Sequence, residues 1–172
     1  MNSKKLALAL SGALASFAAL AGCGSDEAPE TPAACVAPAA TYLAALDAAP
    51  GEVRLGGTTA ISLCIVKEQE PGSLASVGES VVGAATELNS EILRLRDQPS
   101  ADATAELERK AVRLGYLVGA VQKAAAATGG IHRDLILRLD TAARYAGPGG
   151  KPFSAEVERA IGLGYNAGQE TG

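Results

Sequence analysis

The chain has 172 residues, 15 basic and 19 acidic, with one histidine, no tryptophan and only 3% aromatic residues. A net charge of −4, no basic run and so few rings to stack on bases exclude an ordinary nucleic-acid binder. The length suits one domain of common size.

In chain order, export features come first. Lys4 and Lys5 precede an apolar stretch from Leu6 to Leu20, rich in Ala and Leu. A run this short, ending in small residues, reads as a cleaved signal rather than a membrane-spanning helix. It closes on Leu20-Ala21-Gly22-Cys23, which resembles the lipobox of bacterial prolipoproteins. The resemblance covers these first 23 residues only. It implies that a lipoprotein signal peptidase cleaves before Cys23, whose sulfur carries a diacylglycerol and which, once further acylated (palmitate), holds the protein on membrane lipid. The alternative is a signal cut by the ordinary peptidase, with Cys23 incidental. One acyl chain anchors weakly, whereas two or three hold stably at about 0.8 kcal/mol per buried CH₂. By the same resemblance, Gly24 rather than Asp after the cysteine implies release to an outer membrane where there is one. Otherwise the protein sits on the outer face of the plasma membrane.

This divides the chain into a lipoprotein signal peptide (1–22), a lipidated Cys with a disordered tether (23–34) and a helical bundle domain (35–172). Losing Lys4 and Lys5 from the 15 basic residues leaves 13 against 19 acidic ones, which argues against a second, electrostatic hold on anionic lipid. Residues 24–34 hold charge, Pro and small side chains but no large apolar one, so they cannot bury a core. As a flexible coil they span roughly 20 Å. With Cys23 lipidated, Cys35 and Cys64 remain, and an even pair in an oxidising compartment predicts a disulfide. Closing that loop stabilises the fold by about 3–4 kcal/mol in a chain-entropy treatment. The alternative is two free thiols buried as small hydrophobes.

Helical period dominates after residue 35. A first helix is expected over 39–48, with Tyr42, Leu43 and Leu46 inward, ended by Pro50-Gly51. Thr58 or Thr59 caps a second through Ile61, Leu63, Cys64 and Ile65. Pro71-Gly72 then breaks the chain and Ser73 caps a third. Its apolar positions are Leu74, Val77, Val81, Ala85, Leu88, Ile92 and Leu95, three or four apart throughout, and Pro99 sets its end. A fourth carries Leu107, Ala111, Leu114, Val118, Val121 and Ala125, and stops at Gly129-Gly130. A fifth spans Ile131 to about Ala146, before Gly147-Pro148-Gly149-Gly150. Ser154 caps a sixth through Val157, Ile161 and Tyr165. Short connections favour antiparallel neighbours, so the expected fold is all-α, a small antiparallel helical bundle of about five to six helices. An intermolecular coiled coil would need the spacing to persist over more heptads than any helix here allows.

One internal echo stands out. Lys110-Ala111-Val112-Arg113-Leu114-Gly115-Tyr116 is matched by Arg159-Ala160-Ile161-Gly162-Leu163-Gly164-Tyr165, and each is followed by another glycine, Gly119 and Gly168. Ala111, Gly115 and Gly119 thus form one row of small residues, and Ala160, Gly164 and Gly168 a second. A helical glycine costs about 1 kcal/mol against Ala, so four of them need a reason. One reason is close approach of two helix backbones, flanked by Tyr116 and Tyr165. The other is a ligand groove along the rows. Two copies without matching helix pairs around them do not make a solenoid.

Chemical constellations are sought without success. His132-Arg133-Asp134-Leu135 begins like a protein-kinase catalytic loop, but the Asn position falls on Leu139 and no glycine-rich loop or strand lysine precedes it. Asp134 instead suits the positive end of a helix dipole, and an exposed His132 is the plain reading. Gly147-Pro148-Gly149-Gly150-Lys151 lacks the first glycine of a phosphate loop, and Pro152 stands where Ser or Thr would reach Mg²⁺. Glu106 with Lys110, Asp134 with Arg138 and Asp140 with Arg144 read as i,i+4 ion pairs. Glu87 and Glu91 repel one another at that spacing. No catalytic residue, metal site or cofactor is assigned, and no enzyme activity is expected. The reading is a lipid-anchored, non-enzymatic envelope protein that binds an unknown envelope protein partner; the alternative is a carrier or sensor of a small apolar ligand held between helices, with Tyr116 and Tyr165 as its polar contacts.

Overall fold

A computed structural model describes residues 30–98, 100–146 and 150–172; the signal peptide, Cys23, most of the tether, Pro99 and residues 147–149 lie outside the described residues. The described part is all-α. Its helices are α1 (Ala39–Ala45), α2 (Pro71–Arg96), α3 (Ala101–Ala127), α4 (Arg133–Arg144) and α5 (Ala155–Thr171), with single 3₁₀ turns at Ala33–Val36, Leu46–Ala48 and Ile61–Cys64. The first of these turns includes Ala33 and Ala34, the end of the expected tether, so the folded body begins there.

The expected second helix is only the turn Ile61–Cys64. Thr59 does not cap it: its carbonyl accepts from the Leu55 N–H (2.8 Å), closing a turn through Gly56 and Gly57, both at positive φ. Ile65 is extended (φ −122°, ψ 108°), which ends the helical backbone after four residues. Two β-branched isoleucines and a cysteine committed to a bridge favour this over a longer helix. Pro71 is the other correction. It opens α2 rather than breaking the chain, because a first helical residue needs no N–H donor and proline presets its φ. Glu70, not Ser73, stands at the cap position, with its carbonyl accepting from Leu74 N at 2.9 Å.

Caps fix the remaining boundaries. The Ser100 hydroxyl accepts from Ala103 N (3.1 Å) and opens α3. Thr128 turns its hydroxyl back to Ala125 O (2.7 Å), and Gly129 and Gly130 leave at positive φ. Ser154 accepts from Val157 N (3.4 Å) to open α5. In that first turn the Glu156 carboxyl is held below its ordinary range by its own backbone N–H and by the Ser154 hydroxyl. Helix α4 is shorter than its pattern at both ends. His132 sits at its cap position, buried rather than exposed, its Nε2 2.9 Å from Val66 O.

Successive long helices alternate in direction. A short connection folds α3 back on α2, placing Lys110 Nζ 2.5 Å from Glu91. Helix α4 runs with α2: Gly78 lies opposite Leu135 and Arg138, while the Asn89 amide donates to Ala142 O (3.1 Å) and Tyr145 O (2.7 Å). The inward faces follow the three-four spacing. Val77, Val81, Ala85, Leu88, Ile92 and Leu95 of α2 and Leu107, Ala111, Leu114, Val118 and Val121 of α3 are all buried.

The described segment before α2, residues 30–70, holds little helix and is pinned in other ways. Cys35 and Cys64 form a buried disulfide with Cα atoms 5.2 Å apart. Tyr42 is fully buried and donates to Cys35 O at 2.7 Å, and burial pushes its hydroxyl well above the ordinary phenol range. Reduction, or Cys35→Ala with Cys64→Ala, should lower unfolding free energy by about 3–4 kcal/mol while leaving the helices formed. Urea titrations with and without reductant, read by circular dichroism, test this; coincident curves would show that the bridge carries no stability.

Candidate functional site

The two small-residue rows meet. A Cβ on Gly115 would lie 2.8 Å from the Ile161 carbonyl carbon and 2.9 Å from Tyr165 N; one on Gly164 would lie 2.7 Å from the Val112 carbonyl carbon and 2.9 Å from Tyr116 N. Each partner is the counterpart of the other, 49 residues along the chain, as Val112 is to Ile161 and Tyr116 to Tyr165. The second pair behaves alike: a Cβ on Gly119 would be 3.0 Å from the Tyr165 carbonyl carbon, and one on Gly168 3.0 Å from that of Tyr116. Contacts advance in the same direction on both helices, so α3 and α5 run parallel and are related by a local two-fold axis. Ala111 continues the α3 row into the core, fully buried, and Ala160 continues the α5 row, half-buried. The space over the glycines is filled by the opposing backbone, which leaves no room for a groove along the rows.

The equivalent tyrosines have different surroundings. Tyr116 is fully buried; its hydroxyl accepts from Val53 N (3.4 Å) and shares a bond with Thr171 Oγ1 (2.9 Å). Tyr165 is half-buried. It donates to Gln122 Oε1 (2.8 Å) and accepts from Gln169 Nε2 (3.2 Å), which also reaches Gly119 O (3.0 Å). The end of α5 is fastened by Ser62 Oγ to Gly172 O (2.5 Å) and by Lys123 Nζ to Glu170 O (3.0 Å) and Gly172 O (3.2 Å). A cation there also complements the negative end of the helix dipole.

A cleft of about 490 Å³ opens beside the crossing, on the Tyr165 side. Helix α5 packs on α3 and α4 packs chiefly on α2, so α4 and α5 scarcely touch. Leu114 and Val118 of α3 form the floor, with Gln122 at one end. Asp140, Ala143 and Arg144 line the α4 wall, Glu158, Ile161, Gly162 and Tyr165 the α5 wall, and Phe153 closes the far end. Asp140 Oδ1 holds Arg144 Nε at 2.6 Å. Such a volume, mostly apolar with a few polar groups at its edge, is in the range of small-molecule sites. Of the residues singled out in the sequence as a possible ligand site, only Tyr165 lines it. Phe153, the only aromatic between α4 and α5 after Tyr145, is the one sequence clue to the rest.

Charges elsewhere are structural. Arg113 reaches Asp47 (2.9 Å), and Lys110 bridges Glu91 and Glu106 (3.7 Å), which answers the repulsion expected between Glu87 and Glu91. Arg109, bonded to Glu106, holds that carboxyl below its ordinary range, helped by Lys110 and Arg113. Asp134 and Arg138 do not pair within 4.0 Å; the Arg138 guanidinium lies across at Gly78 of α2.

Comparison with known protein families, known proteins and solved structures finds no match for this chain.

The geometry separates glycines that pack from one that does not. Gly115→Ala or Gly164→Ala drives a methyl into fixed backbone and should destabilise by about 2 kcal/mol or more. Gly162→Ala meets nothing within 4 Å and should stabilise by about 0.5–1 kcal/mol through helix propensity. Thermal melts of the three variants decide it; equal midpoints for Gly164→Ala and parent would refute the close crossing.

Proposed function

We propose that the protein is an exported, lipid-anchored, non-enzymatic module of the cell envelope that binds another envelope component through its helical domain. The observation that carries this is Leu20-Ala21-Gly22-Cys23 at the end of a charged-then-apolar leader. The buried Cys35–Cys64 bridge supports it, since such bonds persist in oxidising compartments. Among the described residues no helix is long and apolar enough to cross a membrane, so an anchor at Cys23 would be the means of attachment. Cys23→Ser should abolish labelling by a palmitate analogue and move the protein from the membrane to the soluble fraction. Continued labelling would place the lipid elsewhere or remove the anchor reading.

A second reading, a carrier or sensor of a small apolar ligand, is favoured by the cleft between α4 and α5. Gly162 lines that cleft and has open space around its Cα, so Gly162→Phe should fill the site while the fold persists. Native extracts of parent protein should then yield a co-purifying small molecule that the variant lacks. Identical extracts from both would remove the ligand reading and leave the protein-binding one.

A further inference from the structure

Resting on the ligand reading of the cleft, we propose that the site takes a small organic ammonium with an apolar, ring-sized body. The volume of about 490 Å³ is that of a small-molecule site. Its floor, Leu114 and Val118, together with Ala143 and Ile161, accepts apolar surface. The charge at its edge then selects what that surface carries.

Asp140 and Glu158 stand on opposite walls, and Arg144 is the single cation. Arg144 is bonded to Asp140, so that pair is neutral; Glu158 has no cation within ion-pair distance among the described residues. Glu158 lies in the first turn of α5, with its side chain exposed at the mouth of the cleft. The site therefore keeps one uncompensated negative charge. An anionic ligand would meet repulsion from Glu158 and would have to share Arg144 with Asp140. A cation meets neither obstacle.

Aromatic rings point the same way. The chain is poor in them, yet Phe153 and Tyr165 both line this cleft and both are only half-buried. Tyr165 is held by hydrogen bonds to Gln122 and Gln169, so its ring is fixed before any ligand arrives. Carboxylates and two ring surfaces lining one cleft are the chemistry that recognises alkylammonium groups. The local two-fold adds a parallel. On the covered side of the crossing, the Tyr116 oxygen receives a backbone N–H from Val53 amid apolar packing. On the open side the Tyr165 hydroxyl is held by Gln122 and Gln169, and it is the half-covered ring that is left for a ligand.

Three probes sharing one body test this: phenylbutylamine, phenylbutanol and phenylbutanoate, titrated calorimetrically into the protein at neutral pH. The amine should bind about ten-fold tighter than the alcohol, with the carboxylate weakest. Glu158→Gln should bring the amine to within about two-fold of the alcohol, and Gly162→Phe should abolish binding of all three. Equal binding of amine and alcohol to the parent, or tightest binding of the carboxylate, would overturn the ammonium proposal and leave the cleft as a ligand site. Failure of all three to saturate would take down the ligand reading as well.

Discussion

The structure depends on the backbone-to-backbone crossing of α3 and α5. Four glycines let two helices approach to a distance that any Cβ would forbid, and the main-chain atoms of one helix fill the space over the glycines of the other. Each helical glycine weakens its own helix by about 1 kcal/mol, so the crossing must return that through dispersion contacts and through burial of apolar surface around it. The arrangement also decides what α5 does not do. Drawn against α3 along its whole length, it leaves its outer face exposed at Leu163 and stands apart from α4. The close packing of α5 on α3 and the opening beside it have one cause.

The described segment before α2, residues 30–70, is built onto this crossing. It contains one short helix and three 3₁₀ turns, too little regular structure to satisfy its own backbone. Four long-range hydrogen bonds tie it down: Val53 to the Tyr116 hydroxyl, Ser62 to Gly172 O at the end of α5, Ser80 to Ala37 O, and the His132 ring to Val66 O. Two of these end on α3 or α5. The Cys35–Cys64 bridge then closes the segment on itself, so that its buried residues, Leu46, Val53, Leu55 and Ile61, cover one side of the α3–α5 pair and the adjoining core. A break in the crossing would therefore loosen a segment far away in sequence.

How much of this is readable from the sequence varies with the length over which a signal repeats. Helices α2 and α3 announce themselves because seven and six apolar residues keep the three-four spacing, and each burial follows from it. Over Ile61 to Ile65 the same spacing means nothing, since five residues fit a single turn as well as a helix. Pro71 misleads because its effect depends on whether it falls inside a helix or at its first residue. The glycine rows are legible as a reason for close approach, but not the reciprocity, which needs the parallel register of two helices that are not adjacent in sequence. His132 reads as a surface residue at a helix start; it is buried, and its ring bonds the carbonyl of Val66, in an irregular stretch far away in sequence. Of the cleft, only Tyr165 and the lone ring of Phe153 are hinted at in the sequence. The cleft is made from α3, α4, α5 and Phe153, and it exists because two helices fail to meet, which no local pattern records.

The local two-fold explains why the cleft lies where it does. A symmetric pair of helices presents two equivalent flanks, one around Tyr116 and one around Tyr165. On the first flank the disulfide-stapled segment packs down, delivers an N–H to the tyrosine and excludes water, so that Tyr116 is fully buried. On the second, among the described residues, no chain segment packs down in the same way. Helix α4 stays on α2, and only Phe153 reaches over one end. Tyr165 must take its partners from its own helix pair, Gln122 and Gln169, and its ring remains half-covered. The open flank is thus the counterpart of a place that the protein fills elsewhere with its own backbone and apolar side chains. Its floor is already apolar and its polar groups are already oriented, so a ligand entering there would complete a packing arrangement that the fold has built once on the other side.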